Sequence, residues 1–167
     1  MDRRDFLKTL AVTGAVMTVQ SSEAMDVLAQ TFTNAGGNKV DLVAVMGGEP
    51  EAMFRRAIAE MGGMKSFIKP GQKVVVKPNI GWDKSPELAG NTNPKLITEI
   101  VKQCFAAGAK EVTVFDHTCD DWQKCYKNSG IEAAAKAAGA KVMPAHLESY
   151  YRNVSLPQGK KLKNAKI

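Results

Sequence analysis

Short apolar runs and segments of helical periodicity alternate along most of the chain. Four short apolar runs lie at residues 41–46, 73–77, 111–116 and 140–144, and the first three contain two or three valines each. Runs of this length and composition are typical of strands that lie buried in a parallel sheet. The pattern therefore predicts four strands at these positions.

The segments between these runs repeat apolar residues at intervals of three and four. They predict helices near residues 50–61, 94–107 and 121–138, and Ser129-Gly130 interrupts the third helix. Asn93-Pro94 opens the second helix, because asparagine is a good N-cap and proline is a good first helical residue.

Strands that alternate with helices through short joints favour right-handed βαβ units. We therefore predict an α/β fold of three layers, with a mainly parallel, Rossmann-like sheet between two layers of helices. The tail follows a different pattern. Residues 152–156 and 162–167 flank Pro157-Gln158-Gly159, which predicts a hairpin at the edge of the domain.

The N-terminus has the pattern of an export leader. Arg3-Arg4 and Phe6-Leu7-Lys8 precede an apolar run at residues 9–19, and small residues follow at Ala24 and Ala29. The paired arginines resemble the twin-arginine export signal, although Asp2 departs from its usual Ser or Thr. This resemblance implies the twin-arginine translocase as a partner and a periplasmic or other extracytoplasmic location. An ordinary amphipathic N-terminus is the alternative interpretation.

The leader sets the expected domain boundaries. We predict a signal peptide at residues 1–29 with cleavage after Ala29, a glycine-containing linker at 30–39, and one domain at 40–167. The apolar run of the leader is about half the length that spans a bilayer, and no later run is long enough. We therefore expect no stable membrane anchor.

The charge balance adds little to this picture. The whole chain carries a formal net charge of +6, which is compatible with anionic partners. Basic residues do not alternate with aromatic ones in the way that nucleic-acid grooves require. We expect no nucleic-acid partner, and a solvated lysine-rich surface explains the charge.

Ligands of open parallel sheets bind beyond the carboxyl ends of the strands. Several polar residues follow the predicted strands or precede the second helix, whose free amides attract anions. We predict that an anionic small molecule, a carboxylate or a phosphate, is bound by Lys77, Asn79, Thr92, Asn93, Lys95 and Asp116. The alternative is structural: Asn93 only caps the helix, Asn79 only satisfies turn backbone, and Lys77 points to solvent.

Known nucleotide and cluster motifs are absent from the sequence. The first strand–helix joint reads GGEPE rather than G-x-G-x-x-G, and its glutamates would repel a pyrophosphate. The sequence contains neither a G-x-x-x-x-G-K-[ST] loop nor a C-x2-C-x2-C run, so an iron–sulfur centre of its own is not expected.

The cysteines suggest a disulfide. An oxidising compartment permits a disulfide between Cys119 and Cys125, while Cys104 lies on an apolar helix face and is expected to be a buried thiol. Free structural thiols are one alternative, and a metal bound by His117, Cys119 and Cys125 is a weaker one. A Cys119 nucleophile with His117 as its base, or with His146 as a second candidate base, is a further alternative. The sequence assigns no catalytic residue or cofactor.

Several segments together resemble the domain of unknown function 362 family. They are VAVMGGEP, VVVKPNI, NTNP, AGAKEVTVFD and CYKNSGI, and KPN with the later T-x-P is the most specific part. The resemblance implies a prokaryotic α/β protein of unestablished activity, in a family where some members carry iron–sulfur modules or twin-arginine leaders. It also implies that this chain covers only the N-terminal part of the family domain, incomplete at its C-terminus.

Two functions follow as hypotheses. In the first, the exported protein binds an anionic small molecule, as part of a redox or cofactor-associated enzyme. In the second, it is a non-catalytic, disulfide-stabilised binding or assembly module that a partner chain, or a missing C-terminal half, completes. A concave site where the six predicted residues converge would favour the first, and a flat, incomplete edge would favour the second.

Overall fold

The computed structural model describes residues 40–167, and the predicted leader and linker lie outside this part of the chain. The helices are α1 (Pro50–Glu60), α2 (Pro94–Ala106), α3 (Trp122–Asn128) and α4 (Ile131–Ala137). The strands are β1 (Lys73–Val76), β2 (Glu111–Val114), β3 (Lys141–Val142), β4 (Asn153–Ser155) and β5 (Asn164–Lys166). Single 3-10 turns lie at Met64–Ser66, Pro86–Leu88 and Glu148–Tyr150.

Strands β1, β2 and β3 form a parallel sheet in that order. Val75 of β1 lies opposite Thr113 of β2, and Val114 of β2 lies opposite Val142 of β3. The predicted α/β class and the parallel pairing are therefore confirmed. The third strand is shorter than expected, because it pairs over two residues only.

The predicted strand at residues 41–46 is wrong. These residues are not assigned to a strand. Leu42 and Met46 are 80% and 85% exposed, whereas Val43 and Val45 are half-buried. The alternating burial is that of extended chain, but a strand also requires a backbone ladder with a neighbour. An apolar run therefore predicts an extended backbone, but it does not show that a neighbouring strand is present to form backbone hydrogen bonds with it.

One face of the parallel sheet packs against the helices. Val112 and Val114 of β2 are 1% and 0% exposed. They lie in a core with residues of α2, α3 and α4, namely Ile97, Val101, Cys104, Cys125, Tyr126, Ile131 and Ala135. Val74 and Val76 of β1 and Val142 of β3 pack against the same core.

The opposite face of the sheet, which we call the open face, is not covered in the same way. Side chains alternate between the faces of a strand, so Val75, Thr113 and Lys141 form one row across this face. Val75 is 60% exposed and Lys141 is exposed. Within residues 40–167 the sheet is thus covered by helices on one side, and the three-layer architecture is not confirmed.

The helix boundaries follow the sequence signals closely. The side chain of Asn93 caps α2 by accepting a hydrogen bond from the Lys95 amide, and Pro94 is the first residue of the helix. Gly130 separates α3 from α4 with φ +73°, and a Cβ placed there would lie 3.3 Å from Pro94 Cγ. Gly130 is therefore required both for its left-handed backbone and for the close approach of α2.

The tail forms the predicted hairpin. Strands β4 and β5 pair antiparallel, with Val154 opposite Ala165. None of the helices between residues 40 and 167 has the length and apolar character that crossing a bilayer requires.

Candidate functional site

A buried carboxylate lies just beyond the carboxyl end of β2. Asp116 is 4% exposed. Its Oδ2 accepts a hydrogen bond of 2.7 Å from the Ile80 amide, and its Oδ1 accepts one of 2.9 Å from the His117 amide. A buried charge requires such partners, because its desolvation is costly. These two amides hold the carboxylate in a fixed orientation.

Lys77 completes the set of donors around Asp116. It follows β1, which ends before Pro78 because proline cannot donate to a ladder, and β1 and β2 are parallel, so their carboxyl ends share one edge of the sheet. The Lys77 Nζ lies 2.5 Å from Asp116 Oδ1, while the lysine side chain remains 61% exposed. The sequence placed Lys77 and Asp116 in one site, and the structure brings them into contact.

Tyr126 of α3 connects the ends of β2 and β3. Its hydroxyl accepts a hydrogen bond of 2.8 Å from the Asp116 amide. The same hydroxyl lies 2.9 Å from the carbonyl oxygen of Asp116 and 3.0 Å from that of Met143, to which it can donate. Burial raises the pKa of Tyr126, so it remains a neutral phenol. Sequence reasoning did not single out Tyr126, because the role of its hydroxyl depends on partners that the fold brings near.

Asn79 and Thr92 contact each other but have structural partners. The Asn79 amide donates to Thr92 Oγ1 over 2.9 Å, and the Thr92 amide donates to the Asn79 carbonyl over 3.0 Å. The Asn79 side chain donates to the Gly90 carbonyl and accepts from the Gly81 amide. These bonds close the loop at residues 79–92 and use the side-chain groups that a ligand would need.

Asn93 and Lys95 form a third, separate group. The Asn93 side chain is engaged in capping α2. Lys95 Nζ lies 2.7 Å from Glu49 Oε2. The hydrogen bond and the opposite charge of this exposed pair lower the pKa of Glu49 and raise that of Lys95. The six predicted ligand residues therefore occupy three local clusters.

His117 lies beside the Asp116 site and reaches toward the C-terminal region. Its Nδ1 is 3.0 Å from the hydroxyl of Tyr151, and that hydroxyl donates to the Ala145 carbonyl over 2.7 Å. Glu148 is close to His117; a hydrogen bond from Lys166 and the charges of Lys166 and His117 lower the pKa of Glu148. Tyr151 is a second residue that sequence reasoning missed, since it contacts His117 only through the fold.

The cysteines are free thiols in the structure, and the predicted Cys119–Cys125 disulfide is not supported. Cys119 is exposed, whereas Cys125 is buried and its thiol lies 3.6 Å from the Gly81 carbonyl. Cys104 is buried as expected, and burial raises the pKa of both Cys104 and Cys125.

The weaker metal alternative also finds no support. Across residues 40–167, His, Cys, Asp and Glu side chains do not form a group of three that could hold a metal ion, so His117, Cys119 and Cys125 do not make such a set. His146, the other histidine considered, stacks on Trp122 with ring centroids 4.8 Å apart.

A shallow cavity of about 180 Å³ lies elsewhere. It is lined by the residues after α1 and the last turn of α2, namely Gly62, Gly63, Met64, Lys65, Gln103, Ala106 and Ala107. None of the six predicted ligand residues lines it. The cavity is therefore unrelated to the site around Asp116.

Taken with its leader, this fold defines an exported α/β protein whose polar site lies at the carboxyl edge of a parallel sheet. Residues 1–19 match the twin-arginine translocation pathway signal sequence, which directs export across the membrane and makes the chain a client of the twin-arginine translocase. Residues 74–167 match the family described as Domain of unknown function (DUF362), and the chain belongs to that family.

One curated relative gives a more distant comparison. The chain is 32% identical over 59 residues to the "Thylakoid-associated protein sll1697" of Synechocystis. The alignment covers 35% of this chain and 18% of that protein, so the chain spans only a minor part of the relative. No solved structure matches the chain.

Proposed function

We propose that the exported domain binds a small anionic molecule at the carboxyl edge of its sheet, on the ammonium group of Lys77. The observation that carries this proposal is the ion pair between Lys77 and the buried Asp116. In the proposal the leader, residues 1–29, is removed and the domain at 40–167 acts outside the cytoplasm.

The pair leaves the lysine able to accept a ligand. An ammonium group has three donors, and Asp116 Oδ1 takes one of them at 2.5 Å. The Pro78 carbonyl lies 3.5 Å from Nζ, at the limit of a hydrogen bond. At least one N–H therefore points to solvent from a side chain that Asp116 holds in place. Such an anchored donor loses less entropy on binding than a free surface lysine does.

Helix α2, which lies next to the segment after Lys77, also favours a negatively charged ligand. The mutual hydrogen bonds of Asn79 and Thr92 connect the segment after Lys77 to the start of α2. The N-terminus of a 13-residue helix such as α2 carries partial positive charge that stabilises anions. Lys95 contributes less in this proposal, because Glu49 neutralises it.

Thermal unfolding with and without sodium phosphate or citrate tests the proposal. A ligand that binds the folded state raises the melting temperature by mass action, so about 10 mM anion should raise that of the wild-type domain measurably. Lys77→Ala would leave Asp116 buried without its cation, so the variant to use is the double substitution Lys77→Ala/Asp116→Asn, which removes both charges.

Asparagine at position 116 can accept from only one of the two backbone amides that bind Asp116, so the double variant should be less stable than the wild type. It should still fold, and it should lose the anion-dependent increase. Lys95→Ala is the matched control, and it should retain the increase. Equal stabilisation of the double variant and the wild type would contradict the proposal, because it would show that the anion acts elsewhere or through general ionic strength.

A second function is favoured by the open face of the sheet. Val75 and Met143 are 60% and 50% exposed, although parallel sheets are normally covered on both sides. In this proposal the domain is an assembly module, and a partner chain supplies the missing layer of a three-layer fold.

A photo-crosslinker at Thr113, on the open face, should give one discrete adduct in the exporting cells. A crosslinker at exposed Lys102 should not, and an equal adduct pattern from both sites would reject the module.

A further inference from the structure

We infer that the C-terminal hairpin docks reversibly on an anionic phospholipid membrane. The contact surface is the hairpin tip, which we define as residues 157–163 in the loop between β4 and β5. This surface is separate from the proposed anion site at Lys77, and the two proposals can fail independently. The inference follows from the charge of the hairpin, the exposure of Leu162 and the way the turn is built.

The hairpin concentrates positive charge that the rest of the domain lacks. Residues 40–148 contain 14 basic and 13 acidic residues, so their charges nearly cancel, whereas residues 149–167 contain five basic residues and no acidic one. One of the five, Lys166, pairs with Glu148. The exposed lysines of the hairpin tip form no ion pair with any residue between 40 and 167, namely Lys160, Lys161 and Lys163. Their ammonium groups are therefore available to an anionic surface, which attracts clustered lysines together.

An apolar side chain lies among these lysines. Leu162 is 59% exposed, and Lys161 and Lys163 flank it in the sequence. An exposed leucine gains free energy when it leaves water, and the boundary between headgroups and acyl chains offers an apolar phase that it can enter. A basic cluster combined with an apolar group binds a bilayer better than either does alone. The hairpin tip supplies both.

The turn itself holds Leu162 in place. The Leu156 amide donates to the Lys163 carbonyl over 2.7 Å, and the Gly159 amide donates to the Leu156 carbonyl over 2.9 Å. A Cβ at Gly159 would collide with the carbonyl oxygen of Leu162, so glycine is required at this position. The hairpin tip is thus a hydrogen-bonded turn, and ordering it on a membrane costs less entropy than ordering a free loop.

A lipid surface fits the hairpin tip better than other polyanions do. Residues 152–167 contain no aromatic residue on which nucleic-acid bases could stack. A stable protein interface buries about 800 Å² on each partner, and a turn of this size does not supply that area. Among the described elements, β4 and β5 make their main contacts with each other, so the hairpin is not packed into the core.

Sedimentation with lipid vesicles tests the inference. The exported protein, purified from the extracytoplasmic fraction, is mixed with vesicles of phosphatidylglycerol and phosphatidylcholine in equal parts, or of phosphatidylcholine alone. The wild type should bind the anionic vesicles, and salt should weaken the binding. Replacing the three tip lysines with glutamine should lower the partition coefficient about a hundredfold, because each contributes roughly fivefold. Leu162→Ala should lower it about tenfold.

The matched control removes the same charge from exposed lysines outside the hairpin, by Lys102→Gln/Lys110→Gln/Lys127→Gln, and it should still bind the anionic vesicles. Equal binding of the two triple variants, or no binding of the wild type, would overturn the inference. Tighter binding of duplex DNA or polyglutamate than of anionic vesicles, at the same salt concentration, would overturn the assignment to lipid. Loss of vesicle binding in Lys77→Ala/Asp116→Asn but not in the tip variant would place the lipid at the anion site and would also overturn it.

Discussion

Valine lies on both faces of the parallel sheet, but its surroundings on the two faces differ. Val114 is fully buried against the helices, whereas Val75, in the neighbouring strand, is 60% exposed on the open face. Val74, Val75 and Val76 are consecutive and identical, and only their alternation across the strand separates them. The comparison shows that the three valines of β1 predicted a strand but could not by themselves reveal which of its faces is covered.

The largest expected effect is a difference in stability between the two faces. Val114→Ala removes two buried methyl groups and leaves a cavity, so it should lower the free energy of unfolding by about 2–3 kcal/mol. Val75→Ala should lower it by less than about 0.5 kcal/mol, because the side chain is mostly exposed. Urea denaturation of both variants measures the difference. Equal losses would mean that Val75 is covered in solution.

A smaller effect is expected at the end of the covered face. Tyr126→Phe removes the hydroxyl that accepts from the Asp116 amide. A buried N–H left without a partner costs about 1–2 kcal/mol. Urea denaturation should show this loss, and hydrogen exchange should show faster exchange of the Asp116 amide. Tyr150→Phe is the control, since Tyr150 is 52% exposed. Unchanged exchange at Asp116 would show that the hydroxyl contact is dispensable.

The smallest effect is expected on the open face. Glu111 forms ion pairs with Lys141 and Lys73. The hydrogen bond from Lys141 and the charges of both lysines lower the pKa of Glu111 below its ordinary value of 4.5. The stability that this pairing adds is therefore present above about pH 4.5 and is lost as the pH falls through the lowered value.

Glu111→Gln should accordingly be slightly less stable than the wild type at pH 7, and the difference should vanish at low pH and shrink in high salt. Denaturation at pH 7 and pH 3 measures it. A difference that grows as the pH falls would contradict a stabilising role for this ion pair.

Much of the fold was predictable from local signals. Asn93-Pro94 and Gly130 act over a few residues, and their roles as a helix start and a helix break are confirmed. The parallel pairing also followed from the order of the elements. The error at residues 41–46 has another cause. Whether extended chain becomes a strand depends on a neighbour that the local sequence does not describe.

The candidate site was predictable only in its charged part. Lys77 and Asp116 could be placed together because parallel strands end at a common edge. Tyr126 and Tyr151 could not, since each acts through a hydroxyl whose partners are brought near by tertiary packing. Asn79 and Asn93 are polar residues of the type that binds ligands, but here a turn and a helix cap use their side chains. Polar residues at strand ends can bind a ligand or can satisfy the backbone of a turn or cap. The residue type alone does not show which of these two roles a position has.

The two-residue length of β3 has a consequence for the order in which the domain opens. A ladder this short contributes few backbone hydrogen bonds, so β3 is attached to β2 largely through its packing on α4 and through the Tyr126 hydroxyl at the Met143 carbonyl. β3 should therefore open locally, at a lower free energy than global unfolding, while the buried residues of α3 and α4 remain in the core. Amide protection factors in Lys141–Val142 would then be lower than those in β2.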